Sequence, residues 1–375
     1  MSAFLPGIEA ELERLKRDHR HRTLSLPRGV DFASNDYLGL SRHPALREAT
    51  IAALGNDGIV GAGGSRLLRG HHPAHARLEE FAAAFFGAEK ALFFGSGFLA
   101  NFALFSTLAE RHDAVIFDER IHASVKEGVH ASHARHTRAR HNDPESFEAA
   151  IRRAREKGAR RVFVAVESVY SMDGDLAPLK ELDGIARLYD AVLVVDEAHA
   201  TGVFGARGRG LGESLQNRNW IGLHTCGKAL GVSGALICAA AETIDYLVNK
   251  ARPFIYSTAP PPFLAAAVER ALALLDEEPW RRERVLTLAA FAHDQLTAHE
   301  PVPFAGSQII PVILGEEERT LAVARTLQNA GFDVRAIRPP TVPEGTSRLR
   351  VSIHADHGEN DILALAEALR SAVAP

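Results

Sequence analysis

Cysteine, methionine and tryptophan are scarce in this 375-residue sequence, with two of each. Cys226 and Cys238 form no metal-type or redox pair, and such usage suits a reducing cytoplasm. No apolar run approaches the roughly 18 residues that span a bilayer; the longest candidate, Gly231 to Ala241, is too short and carries small residues. Met1 to Lys16 lacks the apolar stretch of a secretion signal and instead spaces Ile8, Leu12 and Leu15 as an amphipathic helix. Charge of one sign is not in excess either. A net charge of -4 argues against a dedicated nucleic-acid binder, and Arg152, Arg153, Arg155 and Lys157 read as a solvated helix face. Internal repeats and low-complexity segments are missing as well.

What is present is an ordinary globular composition, 46% apolar and 24% charged, in a chain long enough for about two lobes. Short apolar runs, Ala91–Phe94, Ala114–Phe117, Arg161–Glu167, Ala191–Asp196, Ile221–Thr225 and Ala235–Ala239, alternate with helical stretches such as Phe98–Ala109, Pro144–Lys157 and Leu179–Tyr189. This alternation predicts an α/β fold with a large, mostly parallel sheet sandwiched between helices. The run Val192 to Val195 reads as a strand buried on both faces. After Ala251 the pattern changes. Pro253 and Pro260 to Pro262 precede helices near Phe263–Leu275 and Trp280–His299, then a smaller α/β lobe with strands near Ile309–Leu314, Val334–Ile337 and Leu349–Ile353, and helices near Thr320–Ala330 and Asn360–Ala372. The expected division is an N-terminal segment, 1–45, packing on a small domain, 256–375, with a large domain, 46–255, between them.

Four places could carry chemistry. Lys228 follows a strand and is flanked by Gly227 and Gly231; desolvation there lowers an amine's pKa and frees it for Schiff-base formation. Lysine is more often exposed, so its context must carry that reading. Asp196 ends a buried strand, where open α/β sheets bind ligands, and His199 follows. A buried aspartate there needs a cation, such as a protonated ring nitrogen; a metal site of Asp196, Glu197 and His199 ranks lower, because no second histidine follows at zinc-helix spacing. Phe94-Gly95-Ser96-Gly97-Phe98 turns from strand to helix, and its N–H groups suit a phosphate. A dinucleotide turn with Gly95, Gly97, Ala100 and Asp118 remains open, whereas the phenylalanines exclude a serine-hydrolase elbow. Finally, His122 begins a helix and could stack on a flat ring. His130, His133, His136 and His141 read as surface residues, because Arg135, Arg138 and Arg140 would repel a cation; no metal site is expected.

Together these elements resemble the fold-type I pyridoxal-phosphate (PLP) enzymes, and within them the α-oxoamine synthases. Asn35 to Ser41, Gly61 to Arg66, His141-Asn142-Asp143, Ser171 to Asp175, Asp196 to His199, Gly227-Lys228, Tyr256-Ser257-Thr258 and Arg348-Leu349-Arg350 are similar to that family's segments in the same order. The resemblance implies that Lys228 holds PLP as a Schiff base and moves a proton. It implies that Asp196 pairs with the ring nitrogen, His199 bonds the phenolic oxygen and His122 stacks on the ring. Ser96, Gly97, Phe98, Thr225 and Ser171 would surround the phosphate. Ser257 and Thr258 would reach the phosphate of a partner subunit, implying a homodimer with shared sites. Arg350, assisted by Asn35, would bind an amino-acid carboxylate, and Thr341, with Arg22 or its rival Arg20, would line the acyl path. Ala336 to Pro343 is similar to the branch that joins L-alanine to a pimeloyl thioester, carried by coenzyme A or a carrier protein. Relatives acting on glycine and acetyl-CoA are the nearest alternative, and a catalytically silent PLP-binding protein is the alternative of another class.

Overall fold

A computed structural model of the chain describes residues 5, 7–217, 219–297 and 303–373. In chain order its elements begin with α1 (Ile8–Arg17), β1 (Val30–Asp31), α2 (Pro44–Asp57), α3 (Pro73–Phe86), β2 (Lys90–Phe94), α4 (Gly97–Leu108), β3 (Ala114–Asp118) and α5 (Ala123–Ala131). There follow β4 (Arg135–Ala139), α6 (Pro144–Glu156), β5 (Val162–Glu167), α7 (Leu179–Leu188), β6 (Val192–Asp196), β7 (Trp220–Thr225) and β8 (Ala235–Ala239). The chain continues through α8 (Ala241–Lys250), α9 (Arg252–Ile255), α10 (Pro262–Glu277), α11 (Trp280–Leu296), β9 (Ile309–Gly315) and α12 (Glu317–Asn329). It ends with β10 (Phe332–Asp333), β11 (Arg335–Ile337), β12 (Ser347–Ser352) and α13 (Glu359–Val373). The expected helices from Met1 and to His299 each extend in part outside the described residues. Among those residues, no helix is long and apolar enough to cross a membrane.

Contacts divide the chain into two units, one of Asn35–Ser171 with Asp175–Val285 and the other of Met1–Ser34, Met172–Gly174 and Leu286–Pro375. The first is built on a sheet of order β2-β8-β7-β6-β5-β3-β4, in which β8 alone runs antiparallel to its neighbours. Its two faces are covered separately. Leu104, Phe105, Val125 and Val129 pack with Phe117, Phe163 and Leu223 on one side, and Phe147, Ile151 and Leu182 with Ile116, Val164 and Leu193 on the other. Burying each such side chain contributes about 1.5–3 kcal/mol, so both helical layers are held chiefly by apolar packing. The sequence reading omitted β4. Four of its five residues, Arg135 to Arg138, are exposed, so this edge strand has no apolar run to betray it. Residues 256–285, assigned from sequence to the smaller lobe, group instead with the larger unit, because α10 packs against α2 and α3.

The second unit contains a three-stranded antiparallel sheet, β11-β12-β9, and a parallel pair in which β1 joins β10. That pairing draws the chain up to Ser34 into the same unit as the C-terminal strands, whereas 35–45, expected in the N-terminal segment, group with the larger unit. None of the residues of α1 is buried.

Candidate functional site

Parallel strands aim their carboxyl ends at one edge of a sheet, where loops can gather polar groups. Glu167, Asp196 and Leu223 lie side by side there, in register across β5, β6 and β7. Asp196 is buried, and its two oxygens accept from Ala198 N at 2.9 Å and Asn101 Nδ2 at 2.7 Å. Asn101, one turn into α4, also donates to Ser124 Oγ at 3.0 Å, and Ser124 Oγ lies 2.8 Å from His122 Nδ1. A polar file therefore runs from the strand-end carboxylate to the exposed imidazole that caps α5. Dense surrounding protein and the Lys228 charge lower the pKa of His122, with Asp196 opposing them.

Glu167 is buried beside Asp196 and accepts from the backbone N–H groups of His122 and Ser171. Burial first, and then the Asp196 charge, push its pKa up to about 8. At about 8, the Glu167 carboxyl holds its proton near neutrality. Glu197, in contrast, turns into its own loop. It accepts from Ser168 Oγ at 2.5 Å and from the N–H groups of Leu211 and Gly212, and burial raises it to about 7. Among the described residues no group of three or more His, Cys, Asp or Glu is placed to hold a metal.

His199 is buried on the loop after β6, and its Nε2 lies 2.7 Å from Lys228 Nζ. Lys228 stands on the hairpin between β7 and β8. Gly231 ends its turn with φ +66°, where an added Cβ would come within 2.3 Å of Ser41 N. Only glycine permits that approach. Facing this hairpin is the N-terminus of α4. Ser96 caps it by accepting from Leu99 N at 3.2 Å, and a Cβ on Gly97 would lie 3.3 Å from Thr225 Oγ1. Ser257 and Thr258 line a small cavity with Phe94, Gly95 and Pro253. Their segment is tied down by Ala259 N to Gly64 O at 2.9 Å and His75 Nε2 to Pro260 O at 2.8 Å.

The structure thus brings Asp196, His199, Lys228, His122, Thr225 and the Ser96–Phe98 turn into one unit. Asn35 lies there too, 3.0 Å from the hydroxyl of Tyr37, as does Ser171, which donates to Glu167. Arg350, Arg22 and Thr341 belong to the other unit. Arg350 is buried in the middle strand β12, opposite Arg335 and Pro311. Its neighbour Arg348 pairs with Asp173. Arg22 donates to Thr341 Oγ1 at 3.2 Å, and both line a cavity of about 240 Å³ with Arg20 and Arg338. Arg20 is held by Glu317 at 3.1 Å and Glu344 at 2.9 Å.

His141 departs from the surface reading. Its Nδ1 lies 2.9 Å from Asp118 Oδ1 and its Nε2 2.6 Å from Asp175 Oδ2, with the Tyr170 ring edge-on at 4.5 Å. Burial pushes its pKa down, but the two carboxylates outweigh burial and raise it to about 9. A folded value above the ordinary 6.5 means that the imidazolium stabilises the fold, by up to about 3 kcal/mol, below pH 6.5. That contribution is lost as the pH rises from 6.5 through 9. Urea denaturation should show the wild type losing stability across this window and His141→Asn lacking the step; equal pH slopes would refute the assignment. Sequence spacing could not flag His141, Asn101 or Glu167, because their partners come from distant segments. Tyr37 lies within Asn35 to Ser41, where no local pattern points to its contact with His199.

The aminotransferase class I and II family model matches residues 27–369. The 8-amino-7-oxononanoate synthase of Chromobacterium violaceum is 43% identical over 374 residues, covering 96% of each chain. That of Geobacter sulfurreducens is 41% identical, covering 95% of each. Among solved structures, a serine palmitoyltransferase variant from S. paucimobilis with a bound PLP–myriocin aldimine superposes with a TM-score of 0.90 at 29% identity, covering 98% of this chain and 96% of that one. The 8-amino-7-oxononanoate synthase of Francisella tularensis gives 0.77 at 29% identity, covering 92% and 97%. With this match running through nearly all of its length, the chain belongs to the aminotransferase class I and II family, in its 8-amino-7-oxononanoate synthase branch.

Proposed function

We propose that the protein catalyses the PLP-dependent, decarboxylating condensation of L-alanine with a pimeloyl thioester, giving 8-amino-7-oxononanoate, carbon dioxide and free thiol in biotin biosynthesis. The observation that carries this reading is the amine of Lys228 held 2.7 Å from His199, on the same sheet edge as the buried Asp196. The donor set fits PLP: one amine for an aldehyde, one carboxylate for a protonated ring nitrogen and one imidazole for a phenolic oxygen. The α4 N-terminus, narrowed against Thr225 by the missing side chain of Gly97, suits its phosphate.

When bound, PLP withdraws electrons from the carbon next to the amine it holds. Lys228 Nζ would provide the anchoring amine and would take the α-proton of alanine. Asp196 would face the ring nitrogen, and Asn101 holds its carboxylate in place. His199 would hydrogen-bond the phenolic oxygen, and His122, fixed by Ser124, would cover the ring face. Ser96, Gly97, Phe98, Thr225 and Ser171 receive the phosphate, with Ser257 and Thr258 serving that of a second copy in a homodimer. Exposed apolar side chains such as Leu68, Phe98 and Tyr256, at 85%, 50% and 76% exposure, support a partner surface of this kind. Arg350 and Asn35 bind the alanine carboxylate, for which the arginine fork is suited.

Arg22, Arg338 and Thr341 supply the acyl-donor side. Burial and the charge of Arg22 lower the pKa of Arg338, so this cavity gains from a negative ligand such as the free carboxylate of a pimeloyl chain or a carrier phosphate. Coenzyme A and acyl carrier protein both offer such groups. The buried, unbonded Cys226 and Cys238 accord with a cytoplasmic setting. The test is to offer alanine and glycine with pimeloyl-CoA, a pimeloyl carrier protein and acetyl-CoA. Alanine should exceed glycine by at least about tenfold in kcat/KM, the scale set by one methyl group. Turnover of glycine alone would overturn the reading.

A further inference from the structure

Tyr37 is fully buried, and its hydroxyl lies between two polar neighbours. It donates to Asn35 Oδ1 at 3.0 Å and sits 2.6 Å from His199 Nδ1. His199 in turn presents Nε2 at 2.7 Å to Lys228 Nζ. A phenylalanine would fill nearly the same volume without a polar atom to satisfy, so the hydroxyl calls for its own account.

That hydroxyl has one proton to give and two acceptors in reach. When the Tyr37 hydroxyl donates to Asn35 Oδ1, His199 donates Nδ1–H to the Tyr37 oxygen, and a neutral ring offers an Nε2 lone pair toward Lys228. When the hydroxyl donates to Nδ1 instead, the neutral ring carries its hydrogen on Nε2. The hydrogen bond at one ring nitrogen thus decides what the other can do. We infer that Tyr37 is a positioning residue for His199 and Lys228, coupling the side chain of Asn35 to the protonation of His199 Nε2. The inference rests on the proposed roles of Lys228 and His199 toward PLP and of Asn35 toward the alanine carboxylate. A carboxylate engaging Asn35 is thereby felt at the Lys228 amine through a short hydrogen-bonded file.

Tyr37→Phe keeps the ring and removes the oxygen. In the substrate-free holoenzyme, the ratio of protonated to unprotonated cofactor absorbance at fixed pH should change about tenfold, the equivalent of one pKa unit. Turnover, kcat, should fall about tenfold while KM for the acyl thioester holds, because the loss acts on the amine rather than on acyl binding. An unchanged absorbance ratio would overturn the inference, whatever the rate. Should Tyr37→Phe not fold, Asn35→Ala removes one of the two acceptors and must move the same ratio; no movement there overturns it equally. Absence of alanine–pimeloyl turnover in the wild type, with a shifted ratio in Tyr37→Phe, would remove the substrate reading and leave this coupling standing. Turnover with an unshifted ratio would do the reverse.

Discussion

Lys228→Ala should lower kcat by at least about 10⁴-fold, because on the proposed reading one substitution removes both the covalent anchor and the base that moves the α-proton. The geometry explains why no neighbour substitutes for it. The Lys228 amine reaches the sheet edge from the β7–β8 hairpin and meets His199 at 2.7 Å, and an imidazole cannot form the same bond to an aldehyde. Lys228 is also one of the charges that hold Glu167 down against burial, so its removal should raise the Glu167 pKa further. Borohydride reduction before and after the substitution separates anchoring from proton transfer. The wild type should keep a reduced, covalently held cofactor, and Lys228→Ala should keep none. A reducible cofactor at wild-type level in Lys228→Ala would defeat the central assignment.

Asp196→Asn should lower kcat by about 10³-fold, the scale of removing one partner from a buried charge pair. The asparagine oxygen can still accept from Asn101 Nδ2 or Ala198 N, which reach the aspartate at 2.7 Å and 2.9 Å. The fold should therefore survive, and the loss should fall on the electronics of the bound ring. The substitution also removes a like charge beside Glu167, which is held at about 8 partly by Asp196. The Glu167 pKa should drop, and thermal stability should change little or rise. Kinetics, cofactor absorbance and a melting curve together check this. A large fall in melting temperature with near-normal turnover per folded molecule would show that Asp196 serves packing rather than the ring.

The parts of this protein that could be read from its sequence are those encoded within a short window. Val192 to Val195 announced β6 because a strand buried on both faces must be apolar at successive positions. Gly95-Ser96-Gly97 announced the start of α4 because small residues and a capping serine are adjacent in the chain. Strand β4 escaped for the opposite reason: Arg135 to Arg138 face solvent, so its pairing with β3 leaves no apolar mark.

The sequence by itself determined the alternation of strands and helices, the glycine turn that opens α4, the lysine after a strand and the acid at a strand end. Each depends on neighbours along the chain, through backbone geometry and local burial. Only the tertiary structure decided which distant groups share hydrogen bonds. Tyr37 meets His199 across 162 positions, and Asn101 meets Asp196 across 95. It also decided that Glu167 lies against Asp196, that His141 is clamped by Asp118 and Asp175, and that Arg22 rather than Arg20 bonds Thr341. Hydrogen bonds act over about 3 Å, and no periodicity in the chain records which residues the folded sheet will bring that close.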